Sequence, residues 1–187
     1  IHPNENEKDS TMFNGATKIS GTYSLLNKLE EKRNEKVNSK AYLTARLMDA
    51  FFGDWDRHTD QWRWAKINNN EDAEWYPIPR DRDQVFSLYD GVLPKLAVMF
   101  VRQLNSFSCN YPPAKYLSWS GRVLDNRFLS NLTKTEWDSV TNFVKTKLTD
   151  SLIVYSVNLL PKEHVKIAGE YLINNLKSRR NLLTDYS

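Results

Sequence analysis

The sequence predicts a mainly α-helical domain carrying one small β-hairpin. Three observations lead there. Apolar residues recur at three-to-four spacing behind helix-capping residues over much of the chain. Two aromatic-rich extended stretches, QWRWAKI and AEWYPIP, flank the polar cluster NNNED. No segment repeats at a fixed period or is low in complexity. With 187 residues and 21.9 kDa, one domain is expected, able to bury roughly 70% of the surface its unfolded chain exposes.

Residues 1–21 are polar, mix Pro and Gly and lack periodicity, so they read as a tail that docks only in places. The chain begins at Ile1 rather than Met, as a processed product or excised piece would. Residues 22–187 form the single expected domain. From Thr22, the stripe Tyr23, Leu25, Leu26 and Leu29 marks a first helix, and the charged run EEKRNEK reads as its solvated end. A second helix is predicted from an Asn38 or Ser39 cap, with Leu43, Leu47 and Phe51 four apart, Met48 and Phe52 flanking them, and Gly53 as the stop. The hairpin follows, with strands over 61–67 and 74–79; Pro77 and Pro79 mark the second strand as an edge or as leaving the ladder, which keeps the hairpin small. Beyond the turn pair Asp90-Gly91, LPKLAVMFVRQL reads as a short buried helix, and NSFSCNYPPAKYLSWSGR as the longest irregular loop. The last third is helical. Thr133 and Glu136 form a capping box ahead of Trp137, Val140, Val144 and Leu148. Thr149 caps LIVYSVNLL, and Pro161 opens a third helix whose seam is Val165, Ala168, Leu172 and Leu176, ahead of the basic SRR.

Composition narrows the function classes. Lys and Arg total 26 against 23 Asp and Glu, a net charge of +3, too small to indicate nucleic-acid binding without a clustered basic face. The one cysteine, Cys109, allows neither an internal disulfide nor a CxxC zinc set. No apolar run approaches the roughly 18 residues of a membrane helix, and no basic-then-apolar leader is present.

Chemistry concentrates at the two ends of the hairpin. Gly53-Asp54-Trp55-Asp56-Arg57-His58-Thr59-Asp60-Gln61 precedes the first strand, and Pro79-Arg80-Asp81-Arg82-Asp83-Gln84 follows the second. If the strands pair, Gln61 and Pro79 become neighbours and the two loops face each other. Carboxylates so gathered repel one another, and the counter-charge comes either from Arg57, Arg80 and Arg82 or from a bound divalent cation. An EF-hand fails, because Thr59 and Ala65 stand where a Gly and a bidentate Glu are needed. His58 lacks the further histidines of a hydrolytic zinc site, and no GxSxG is present. Trp62, Trp64 and Trp75 read as hairpin packing, and Asn131-Leu132-Thr133 matches a glycosylation sequon whose Thr already serves as a cap.

At these residues the sequence resembles the catalytic, C-terminal lobe of atypical protein-kinase-like enzymes. GDWDRHTDQW is similar to the NxDRHxxN loop of HipA-type toxin kinases, the NTDRGNDNW loop of type II phosphatidylinositol 4-kinases and related loops of secretory-pathway kinases. PIPRDRDQVF resembles the PWDxD stretch of spore-coat-type kinases, which occupies the place of DFG in ordinary protein kinases. Both motifs together look like a segment of long outer-membrane-associated polypeptides of Gram-negative bacteria, some with metallophosphoesterase and barrel domains. That similarity runs from about Thr22 to the SRR near the end.

The resemblance implies a catalytic loop of Asp56, Arg57 and His58. Asp56 stands at the catalytic-base position, with Arg57 and His58 orienting it. Gln61 falls where the family usually has a metal-binding Asn, with Asp60 beside it as a substitute ligand. Asp81 falls at the DFG aspartate, holding magnesium or manganese on the ATP phosphates, with Asp83 as a second ligand. The implied partners are a nucleotide or other phosphate ligand and an N-terminal lobe, supplied by upstream chain or another protein. The implied location is extracytoplasmic or outer-membrane-associated. Two departures stand out: a neutral Gln at a metal position, and no GxGxxG spacing or VAIK-like strand for a nucleotide-binding lobe. Low activity is therefore expected from this chain alone. Two other readings stay open: a structural or interaction domain of a larger cell-surface protein, and a metal-dependent phosphoesterase.

Overall fold

The computed structural model describes residues 15–69, 72–89 and 105–186. Among them the elements run β1 (Lys18–Gly21), α1 (Thr22–Glu31), β2 (Glu35–Val37), α2 (Ser39–Phe52), a 3-10 turn (Thr59–Gln61), β3 (Trp62–Asn69), β4 (Asp72–Pro79), α3 (Ala114–Leu117), α4 (Arg122–Leu129), α5 (Lys134–Lys147), α6 (Asp150–Asn158) and α7 (Lys162–Tyr186). The fold is mainly helical around a small sheet, as the periodicity implies. The expected turn pair Asp90-Gly91, the expected helix over 93–104 and the first fourteen residues of the tail lie outside the described residues.

The sheet is larger than a hairpin. Its order is β1-β3-β4-β2, with β1 and β4 antiparallel to β3 and β2 parallel to β4. β1 comes from the last residues of the expected tail, and β2 from the charged run read as a helix end. Both are too short for alternation to register. β2 is anchored by Glu35, which accepts hydrogen bonds from Lys66 Nζ and Trp75 Nε1, each at 2.8 Å. Burial opposes the ionisation of Glu35, but these bonds and the Lys66 and Lys32 charges outweigh it and hold its carboxyl below the usual range. The register pairs Trp62 with Pro79 and Lys66 with Trp75, so the hairpin closes where the sequence places it.

α2 is the central helix. Asn38 caps it, accepting from the Ala41 amide at 2.8 Å, and Gly53 ends it in the left-handed region at φ 75°, where a Cβ would also press to 3.1 Å from the Phe107 ring. Leu43, Leu47 and Phe51 are buried with Trp62, Trp64 and Trp75, all three tryptophans being fully enclosed. The Tyr42 ring joins helix to sheet, 5.1 Å from Trp62 and 5.7 Å from Trp64. On α1 the stripe is narrower than expected: Leu25 is buried, while Tyr23 is exposed and its hydroxyl meets Thr59 Oγ1 at 3.2 Å.

The C-terminal helices keep their punctuation. Thr133 and Glu136 make both halves of the capping box, and Thr149 accepts from the Leu152 amide. Two elements escaped the sequence signals. α3 interrupts the expected loop, and α4 follows Gly121, which makes no side-chain cap. α7 also runs through SRR to Tyr186, placing Arg179 inside a packed helix. Among the described residues, no helix is long and apolar enough to cross a membrane.

Candidate functional site

The sequence GDWDRHTDQ leaves α2 at its left-handed glycine and enters β3 through the 3-10 turn, where the His58 ring Nδ1 accepts from the Asp60 amide at 3.3 Å. The segment RDRD leaves β4 directly opposite. Pairing continues one step past the strands, since the Arg80 amide donates to the Gln61 carbonyl at 2.9 Å. The two loops are therefore neighbours for a backbone reason, independent of any ligand.

Arg57 fastens them together. Its side chain is fully buried. Nη1 donates to the carbonyls of Arg80 (2.6 Å) and Asp81 (3.0 Å), and Nη2 to that of Gln61 (3.2 Å). Nε donates to Asp49 Oδ2 at 3.2 Å, and the guanidinium lies 4.6 Å from the Trp62 ring centre. A planar fork with five donors can serve both loops and a carboxylate at once; a lysine cannot. Ser120 braces the loop from the far side of the chain: its Oγ accepts from the Arg57 amide at 2.9 Å and donates to the Trp55 carbonyl, so it spans Asp56. Thr22 adds a third tie, donating to the Thr59 carbonyl at 2.6 Å.

The arginines have partners other than the acids the motifs single out. Asp49, fully buried on α2, accepts from Arg46 Nη1 (2.9 Å) and Arg57 Nε, and its Oδ1 lies 2.9 Å from Arg82 Nη2. Asp54 is 1% exposed, and among the described residues its carboxylate oxygens have no well-formed hydrogen bond, with Arg57 Nη1 at 3.6 Å and Arg82 Nη1 at 4.0 Å. Burial, reinforced by the Asp49 charge, pushes its carboxyl up to about 7 against the pull of the two arginines. Asp56 is half-buried, and Asp60, Asp81 and Asp83 are exposed. Among the described residues, none of these four side chains has an ion pair or hydrogen bond. Gln61 is buried, and its backbone serves both loops.

The backbone at Asp81 is unusual. It sits at φ 45°, in the left-handed region, where its carbonyl is held by Arg57. Asp tolerates that region better than most residues, and the position persists because its surroundings fix it. Phe86, further along, is held at φ 61° by edge-on packing against Phe52 and Phe107.

The geometry thus joins the loops containing Asp56, Arg57, His58, Asp60 and Gln61 on one side and Asp81 and Asp83 on the other. It also recruits residues that the motifs do not include. Asp49 is visible as a lone carboxylate inside the apolar run LMDAFF, a signal that it needs a buried partner. Ser120 and Arg46 carry no such signal. Comparison of the chain with protein-family models, with curated proteins and with solved structures finds no match.

Proposed function

We propose that the chain is the divalent-metal-dependent, phosphate-handling catalytic lobe of an atypical kinase-like phosphotransferase, acting with a separate nucleotide-binding lobe. The observation that carries this reading is a division of labour. Arg57 and Arg82 pair with Asp49 and Asp54, locking the loops, while the carboxylates of Asp56 and Asp81 on the joined segments have no ion pair or hydrogen bond among the described residues. A lattice serving only to neutralise the loops would have engaged those carboxylates too.

Among the described residues, no three Asp, Glu, His or Cys side chains gather into a metal-holding group. Mg2+ binds through one or two carboxylates and takes its other ligands from phosphates and water. Asp81 would hold the ion, with Asp83 or Asp60 as the second ligand; when bound, the ion would neutralise phosphate charge. Asp56 would accept the proton of the attacking hydroxyl, in a position fixed by Arg57 and by Ser120 on either side of it.

The test is binding. Mg2+ or Mn2+ at millimolar concentration, with or without ATP, is expected to raise the melting temperature. Asp56→Asn and Asp81→Asn should leave stability within about 0.5 kcal/mol, since neither carboxylate is paired, and Asp81→Asn should abolish the ligand shift. No shift in the unmodified protein would defeat the proposal. A second reading, a structural or interaction domain of a larger surface protein, is favoured by the fact that the buried lattice holds the loops without a ligand. It predicts that nucleotide and metal have no effect.

A further inference from the structure

A cavity of about 480 Å3 opens between α2, α3, α4, α5 and Tyr186 at the end of α7, within the size range of small-molecule sites. Leu43 and Leu47 of α2, Leu129 of α4 and Trp137 of α5 give it apolar walls. Its polar end is Arg46 with Asp125. Arg46 donates from Nε to Asp125 Oδ1 (2.8 Å) and from Nη2 to Oδ2 (3.0 Å), and Tyr42 Oη donates to the same carboxylate at 2.9 Å. The third Arg46 bond goes to Asp49. Gly121 leaves room for this arrangement, since a Cβ there would come within 2.7 Å of Arg46 Nη2.

Two features define what would fit. The Arg46 charge is already matched by Asp125 and Asp49, so neither an anion nor a cation finds an unmatched partner; the guanidinium still has N–H groups beyond the three bonds named. The Arg46 partner Asp49 is also the carboxylate that Arg57 and Arg82 hold at the acidic loops. We infer that this cavity is an effector site for a small uncharged molecule with a ring-sized apolar body and one hydrogen-bonding head, whose occupancy tightens the acidic loops through Arg46 and Asp49. The link is one of rigidity, transmitted along a buried ion-pair chain.

The site is tested with 2-naphthol and indole-3-ethanol as neutral probes, and 2-naphthoate and indole-3-acetate as charged controls. Titration followed by amide and indole NMR should show saturable binding of the neutral probes, centred on the Trp137 indole and at least tenfold tighter than the acids. Ser130→Trp, at the exposed rim, should leave the melting curve unchanged and abolish binding. In the saturated protein, hydrogen exchange at residues 54–61 and 80–82 should slow at least twofold. Absence of saturable binding by both neutral probes, full binding in folded Ser130→Trp, or unchanged loop exchange at saturation would each overturn the inference.

Discussion

Two fully buried arginines hold this fold together, and they do so differently. Arg57 sits among carboxylates, with Asp49 at 3.2 Å and Asp54 at 3.6 Å, and gives its remaining donors to the carbonyls of Gln61, Arg80 and Asp81. Arg179, on α7, has no carboxylate partner among the described residues. It donates to the carbonyls of Ala50 (2.6 Å) and Phe51 (2.9 Å) at the end of α2, and to Ser108 (3.0 Å) and Asn110 (2.7 Å), packed against the Phe107 and Tyr111 rings. Its charge is met by the negative end of the helix dipole and by carbonyl oxygens. The Arg179 region needs only to be closed. The Arg57 region gathers more acid than closure requires, and the surplus lies on the two loops it joins.

Removing each arginine separates the two cases. Arg57→Ala should cost about 3–5 kcal/mol, because it removes a buried positive charge from beside Asp49 and Asp54 and also strands the carbonyls of Gln61, Arg80 and Asp81; Arg179→Ala should cost about 2–3 kcal/mol, because it strands carbonyls alone. Urea midpoints at constant slope would measure both, and the reverse order would break the comparison. Asp54→Asn sharpens it further. The folded-state carboxyl stands at about 7 against an ordinary 3.8, so the folded state binds more protons than the unfolded chain between those values. Stability from this group is therefore present below about pH 4 and is lost as pH rises towards 7. The Asn variant should equal the parent near pH 4 and exceed it by roughly 2–4 kcal/mol at pH 8; a constant difference across pH would contradict the assignment. The smallest effect belongs to a site remote from both clamps. Thr133→Ala should cost about 1 kcal/mol through the lost capping box, with no change in the loops.

Much of this was legible in the sequence where local chemistry decides the outcome. Asn38, Gly53, Thr133 and Thr149 announce helix ends because caps satisfy their own neighbours' amides and carbonyls. The hairpin was legible too, and with it the meeting of the two loops, because antiparallel register follows from the turn. What local pattern does not encode was missed. β1 and β2 are too short for a period, and α4 begins without a side-chain cap. The place of Arg179 inside α7 depends on carbonyls far away in sequence, so the basic run SRR carries no local sign of it. At the site, the motif residues were visible, but which groups support them was not: Ser120 carries no signal, and Asp49 signals only that it needs a buried partner, since both reach Arg57 through tertiary packing.

In the proposed function, the acids of the two loops that lack partners among the described residues serve one phosphate-bound ion. Adding Mn2+ with ATP and following amide line broadening by NMR tests it most directly. Broadening should appear at residues 54–61 and 80–83 together, at the same ion concentration, and should be lost at both in Asp81→Asn. Broadening confined to one loop, or centred elsewhere on the molecule, would contradict the account.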